Sequence, residues 1–372
     1  MEIISRGTVY SGKKEDEKSL AFPWMCALSD GRWLCTFRAA PTKDSSTENT
    51  LLTYSDDEGQ TWSDPVAPWI APCVGEKQGS VHVGYCSAAD ESRILATLCW
   101  LDRSDLALPM FNTDTEGLLD MKIMLSESKD RGQSWSEPCF VDCAPFYGPN
   151  PITGPILAVT AEKLICQFEI NKPYHDTTQW RHFSVLKFSN DGGRSWPEHV
   201  ITSNDPENRF FYWDQRPGLL AEGWILNLFW SYDNKEGGYI NIQARESRDH
   251  GRTWSKMWDT AVPGQPANPA RLKNGKVAMA YIDRTSSPVI AVRTSDDDGR
   301  TWPEDGKTVL YEAAIASQTT DKKAMQDAWE ELGNFSVGLP ATSLTPNGDL
   351  LVVYYAGPEK DNTNIEWVRL RA

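Results

Sequence analysis

Ser55-Asp56-Asp57-Glu58-Gly59-Gln60-Thr61-Trp62 decides the fold of this chain, because the pattern Ser-x-Asp-x-Gly-x-x-Trp returns four more times. The copies run Ser128 to Trp135, Ser189 to Trp196, Ser247 to Trp254 and Ser295 to Trp302, their serines 73, 61, 58 and 48 residues apart. A fixed motif at a loosely fixed period marks a repeat fold in which each copy is one supersecondary unit. Ser and Asp bond nearby amides in a tight turn, Gly supplies a positive φ, and Trp packs back onto the sheet. Each copy therefore reads as a hairpin tip.

The flanks agree. β-prone runs such as Thr50-Leu51-Leu52-Thr53-Tyr54 and Val289-Ile290-Ala291-Val292-Arg293 precede the tips, and Pro65, Pro138, Pro197 and Pro303 follow them, as suits edge strands. A second hairpin lies upstream, with Asp-Gly or Asn-Gly turns at Asp30-Gly31, Asn274-Gly275 and Asn347-Gly348. Four antiparallel strands per repeat make one propeller blade. Inner hairpins over 24–37, 82–99, 152–168, 216–230, 269–282 and 339–355 predict six blades, about 62 residues each, in one domain spanning 1–372. The fold class is thus all-β, a six-bladed β-propeller. The last blade lacks an outer strand and residues 3–10 lack a partner, so the N-terminal strand is expected to close the ring. Residues 320–332, rich in helix formers and stopped by Gly333, predict one short inserted helix.

Charged residues make up 24% and apolar residues 40% of the chain, an ordinary globular balance. A formal charge of −15 argues against nucleic acid as a partner, since phosphate contacts need a basic face. No run is long and apolar enough for a membrane helix, so no membrane partner is expected. The start has no signal-like pattern, and the eight cysteines form no Cys-x-x-Cys and no zinc spacing. Reduced, buried thiols and a cytoplasmic location are the expectation, or a secreted or periplasmic one if a leader has been removed. Neither a metal nor a cofactor is expected, and the oligomeric state stays open.

Chemistry belongs on the rim opposite the tips, where the inner strands of each blade start and end. Blade one offers Trp24, Arg38, Lys43 and Asp44; blade two, His82, Trp100, Asp102 and Arg103; blade three, Asn150, Glu169, Lys172, His175 and Asp176. Blade four carries the densest run, Tyr212-Trp213-Asp214-Gln215-Arg216, with Tyr232 and Asp233 across the hairpin; blade five has Gln265, Asn268, Asp283 and Arg284, and blade six has Asn334, Tyr355 and Glu359. Carboxylates, guanidinium groups and aromatics together suit a carbohydrate substrate.

The tip motif resembles the Asp box, or bacterial neuraminidase repeat, of the sialidase superfamily, and five of six blades carry it. The resemblance implies a sialidase-like propeller with the boxes away from the active face. It also implies an Arg-Ile-Pro at the first inner strand, where Phe22-Pro23-Trp24 stands, and a Tyr at the last, where Gly338-Leu339-Pro340 stands. The family's paired Glu falls on Asp214 and its acid Asp near Asp44, while its two further arginines fall near Trp230 and Pro288. Sialoside hydrolysis is therefore not expected. The leading expectation is a glycoside hydrolase for an acidic or decorated glycan, with Asp214 and either Asp44 or Glu169 as its carboxylates. Arg38, Arg216 and Arg284 would rebuild an anion pocket, and Trp24, His82, Trp100, Tyr212 and Trp213 would contact sugar. The alternatives are a lyase for a uronate-containing glycan with His82 or Tyr212 as base, and a non-catalytic glycan-binding propeller.

Overall fold

The computed structural model describes residues 1–372 except 13, 317, 318, 320, 321, 323 and 324. Strand β1 (Glu2–Ser11) opens the chain. Blade one holds β2 (Ser19–Ala27), β3 (Trp33–Ala40) and β4 (Asn49–Ser55). Blade two holds β5 (Gly79–Ala88), β6 (Ile94–Asp102), β7 (Met121–Ser128) and β8 (Cys139–Phe140). Blade three has β9 (Leu157–Ala158), β10 (Leu164–Ile170), β11 (Phe183–Ser189) and β12 (Glu198–Ser203). Blade four has β13 (Phe210–Ala221), β14 (Trp224–Asp233), β15 (Gly238–Ser247) and β16 (Trp258–Asp259). In blade five the inner strand is split into β17 (Gln265–Pro266) and β18 (Ala270–Arg271), followed by β19 (Val277–Asp283), β20 (Val289–Ser295) and β21 (Thr308–Glu312). Blade six has β22 (Val337–Leu344), β23 (Leu350–Glu359) and β24 (Asn362–Arg371).

The sheets are six, all antiparallel, each formed by consecutive strands except at the closure. There β1 runs beside β24, from Glu2 opposite Arg371 to Ser11 opposite Asn364. The expected closing strand is therefore present, one residue longer at each end. Blade one keeps only three named strands, and its outer edge is reduced to the bridge between Leu52 and Val66. The expected helix is α1 (Met325–Leu332); of its predicted start, positions 320, 321, 323 and 324 lie outside the described residues. All eight cysteines are free thiols, five of them buried. No described helix is long and apolar enough to cross a membrane.

The tip motifs do what their chemistry dictates. Ser55 Oγ accepts from the Gly59 amide at 2.8 Å and donates to Asp57 Oδ1 at 2.8 Å, while Asp57 takes the Thr61 amide and hydroxyl. The box glycines stand at φ +83° to +94°. In the last four copies the indole N–H also donates to that glycine's carbonyl, at 2.9–3.1 Å. The glycine has a second reason. A Cβ on Gly132 would lie 3.0 Å from Leu34, on Gly193 2.9 Å from Leu125, on Gly251 3.2 Å from Leu186, and on Gly299 2.6 Å from Leu226. Each neighbour belongs to the preceding blade. At the closure, a Cβ on Gly59 would lie 2.6 Å from Trp367 of blade six.

Two outcomes follow for stability. Deleting residues 1–11 should sharply lower the melting temperature by baring the edge of β24; an unchanged melt would contradict closure by β1. The Ser134 hydroxyl and amide hold the Asp130 carboxyl down at about 2. A depressed pKa stabilises the fold above the ordinary carboxylate range and ceases to do so as pH falls through the folded value. The melting-temperature gap between wild type and Asp130→Ala should therefore be widest at neutral pH and close between about pH 4 and pH 2.

Candidate functional site

Bulges in the inner strands build the site. In β2 the pairing skips between Ala21 and Trp24, in β5 between Val81 and Val83, in β13 between Trp213 and Arg216, and in β22 between Gly338 and Ala341. Among the residues set free are Phe22, His82, Asp214 and Leu339, and these four line one cavity. Phe22, Asp214 and Leu339 hold φ of +53°, +52° and +45°. A positive φ on a non-glycine residue costs energy, and such bulges re-aim side chains beside functional sites. Pro23 and Pro340, which lack a ladder N–H, are tolerated inside inner strands for the same reason.

The cavity, about 660 Å³, sits at the ends of the strands opposite the tips. One wall is apolar, made by Met110, Phe111, Leu118, Met121 and Ile152. The other is a hydrogen-bonded chain. Asp214 Oδ2 accepts from Arg216 Nη2 at 2.8 Å and from Gln265 Nε2 at 2.7 Å. Gln265 Oε1 accepts from Arg284 Nη1 at 3.0 Å. Arg284 lies over Phe335, 3.9 Å from the ring centre, and beside the Tyr355 phenol, which Lys43 Nζ reaches at 3.0 Å. Glu169 stands behind Asp214, accepting its backbone N–H, with His182 Nε2 3.4 Å from the other oxygen.

Charge distribution follows from burial. Desolvation pushes the Asp214 carboxyl up, with Glu169 adding to the rise and Arg216 opposing it. Burial pulls Lys43 down. Glu48 is buried yet held well below the usual carboxylate range, because burial is outweighed by His82, Arg38 and Arg103. His82 Nδ1 lies 2.8 Å and Arg103 Nη2 2.9 Å from its carboxylate, and Arg38 is ion-paired to it. No described group of three or more His, Cys, Asp or Glu is placed to hold a metal ion.

Of the residues expected from sequence, Asp214, Glu169, Arg38, Arg216, Arg284, His82 and Trp213 line the cavity, and Asp44 stands at its mouth, 65% exposed and paired with Lys360 at 2.7 Å. Three do not. Trp24 is buried behind the cavity wall, its ring 5.2 Å from that of Tyr85, which does line the cavity. Trp100 is fully buried, its indole N–H bonded to Pro72 O at 2.8 Å, and Gly79 is packed against the ring. Tyr212 turns to the other face of β13 and packs on Phe229, because alternation along the strand sends Trp213 inward instead. It cannot serve there as a base. The free anion pocket is also corrected: Arg38 and Arg216 are each already paired with a carboxylate. Sequence reading missed Glu48, Trp180, His182 and Phe335. Trp180 and His182 belong to a loop with no repeat signal, and Glu48 to a polar turn that looks solvated.

Over residues 97–352, which is 256 of the 372 positions, the chain matches the model of the BNR repeat-like domain. No curated protein matches it. Among solved structures, a protein of unknown function from Dyadobacter fermentans DSM 18053 superposes with a TM-score of 0.72 at 16% identity, covering 99% of both chains. A Hadza microbial sialidase gives 0.67 at 16% identity, over 98% of this chain and 68% of that one. The Ruminococcus gnavus intramolecular trans-sialidase gives 0.61 at 12% identity, over 98% and 96%. At such identities the likeness establishes the fold alone, a sialidase-like propeller, while the family model bears out the reading of the tip motif as a BNR repeat.

The Glu48 cluster yields an outcome of its own. Glu48→Gln leaves Arg38 and Arg103 buried without a counter-charge, which should cost about 3–5 kcal/mol. Chemical denaturation measures this, and a loss below about 1 kcal/mol would show the cluster to be solvated.

Proposed function

The chain belongs to the BNR repeat-like family, and on that footing we propose that it is a carbohydrate-active enzyme that cleaves glycosidic bonds, with Asp214 as the general acid. The observation that carries the reading is the placement of Asp214: a half-buried carboxyl on a strained bulge, lining the cavity beside Glu169, with its pKa raised first of all by desolvation. Glycosidic cleavage needs one carboxyl that keeps its proton long enough to hand it to the leaving oxygen. Burial and the neighbouring Glu169 favour that proton, while Arg216 and Gln265 fix the side chain's direction. The mixed cavity, polar on one wall and apolar on the other, fits a sugar bearing an apolar substituent better than a bare polar oligosaccharide. Neither base first expected for a lyase is well placed, since Tyr212 is turned away and His82 is tied to Glu48.

The resemblance's arginine and tyrosine positions present Phe22 and Leu339 to the cavity, so simple sialosides should be poor substrates. A panel of aryl glycosides, read by release of the chromophore and by product analysis, tests the function. On any glycoside that is turned over, Asp214→Asn should lower kcat at least about a hundredfold with little change in melting temperature. Turnover close to wild type would remove Asp214 from the chemistry, and an ultraviolet-absorbing unsaturated sugar as product would replace hydrolysis with elimination.

A further inference from the structure

Across the cavity from Asp214 stands a phenol in an unusual setting. Tyr355, on β23, is almost wholly buried and lines the cavity, opposite Gly338 at the edge of the β22 bulge. Lys43, from the loop after β3, places its ammonium 3.0 Å from that oxygen and 4.4 Å from the ring centre. The other bond of Lys43 Nζ goes to the Phe335 carbonyl at 2.8 Å, and no carboxylate is among the ammonium's partners in the described residues. Arg284, from the end of β19, comes in from the opposite side. Gly338 makes room for it: a Cβ there would lie 2.0 Å from Arg284 Nη2 and 3.1 Å from the phenol oxygen.

The remaining charges near the phenol are committed elsewhere. Arg38 is paired with Glu48, Lys360 with Asp44 on the rim, and Lys322 with Glu331 beside α1. Asp214 is linked toward the phenol through Gln265 and Arg284. Two cations thus converge on one phenol oxygen inside a cavity, an arrangement that stabilises the phenolate. Burial alone would raise the Tyr355 pKa, and Lys43 and Arg284 outweigh it, so the net direction is downward.

We propose that Tyr355 is the base of this site: as the phenolate held between Lys43 and Arg284, it takes a proton from the water that attacks the anomeric carbon. This rests on the glycoside-cleaving reading above. In the step, one water O–H bond breaks and its proton goes to the Tyr355 oxygen as the water oxygen bonds to carbon. The glycosidic C–O bond breaks, and the leaving oxygen takes the Asp214 proton. Tyr355 then gives its proton to solvent and Asp214 regains one, which restores the enzyme. Glu169, behind Asp214, is left as the charge that keeps the acid protonated. The phenolate oxygen, engaged by two cations, acts in proton transfer and not by covalent attack.

The phenolate can be tested without a substrate. Alkaline spectrophotometric titration follows the tyrosinate band of the twelve tyrosines, which ordinarily ionise near about pH 10. The wild-type protein should show one tyrosine ionising below the rest. Tyr355→Phe should abolish that early step, and Lys43→Gln should move it to higher pH. Identical curves for wild type and Tyr355→Phe, or no shift in Lys43→Gln, would overturn the phenolate. On a glycoside that the enzyme turns over, Tyr355→Phe should lower kcat about a hundredfold or more without loss of the folded state. Unchanged turnover would overturn the base role while leaving the Asp214 test standing. Conversely, an early-titrating Tyr355 in a protein that cleaves no glycoside would sink the glycosidase reading, and the base role with it, while the phenolate itself stood.

Discussion

The contact on which the structure depends is made by a glycine at the tip of each box hairpin, pressed against an apolar side chain of the blade before it. Its positive φ turns the chain, and its missing Cβ lets neighbouring blades approach to side-chain contact. The same residue therefore shapes the hairpin and stitches the ring. Blade one makes this contact with blade six, where Gly59 sits against Trp367 and Trp33 meets Trp367 edge-on at 5.2 Å. Local turn chemistry and global closure are here one constraint, and sheets with no free partner at the seam are its consequence.

A ring so held leaves its opposite rim free to depart from regular structure. Four inner strands bulge there, and three carry a non-glycine residue at positive φ. Strain at these points is tolerated because the bulged strands pair with buried neighbours, as β13 does with β14, where every residue is buried. The scaffold is in this sense the support for one cavity in which charges meet in pairs. Although the whole chain carries a formal charge of −15, the cavity gathers Arg38, Lys43, Arg103, Arg216 and Arg284. Glu48 and Asp214 answer three of them, and Lys43 meets a phenol instead.

Most of the fold was legible in the sequence because it is written in short-range chemistry. Ser-x-Asp-x-Gly-x-x-Trp specifies its own turn, and a residual strand at each end of the chain implies closure. The split inner strand of blade five and the three-stranded blade one were not legible, since pairing lost at an edge leaves no mark on hydrophobic pattern. In the site, Asp214 and Arg216 could be singled out as polar residues where an inner strand should be apolar. The partner of Lys43 could not, because Tyr355 comes from the far side of the ring. Trp100 and Trp24 show the reverse failure: a large aromatic at a strand end reads equally as platform or as core, and the glycine packed on Trp100 decides for core.

The central claim is that the cavity raises the Asp214 pKa, through desolvation and the nearby Glu169 and against the pull of Arg216, so that it can serve as a proton donor. Its most direct measurement is the titration of the Asp214 carboxyl by carbon-13 NMR on aspartate-labelled protein, with Asp214→Asn for assignment. The account predicts that Asp214 titrates above the ordinary aspartate range, and that Glu169→Gln lowers its midpoint by removing the adjacent charge. An Asp214 that titrates with the exposed aspartates, or one indifferent to Glu169→Gln, would contradict the account.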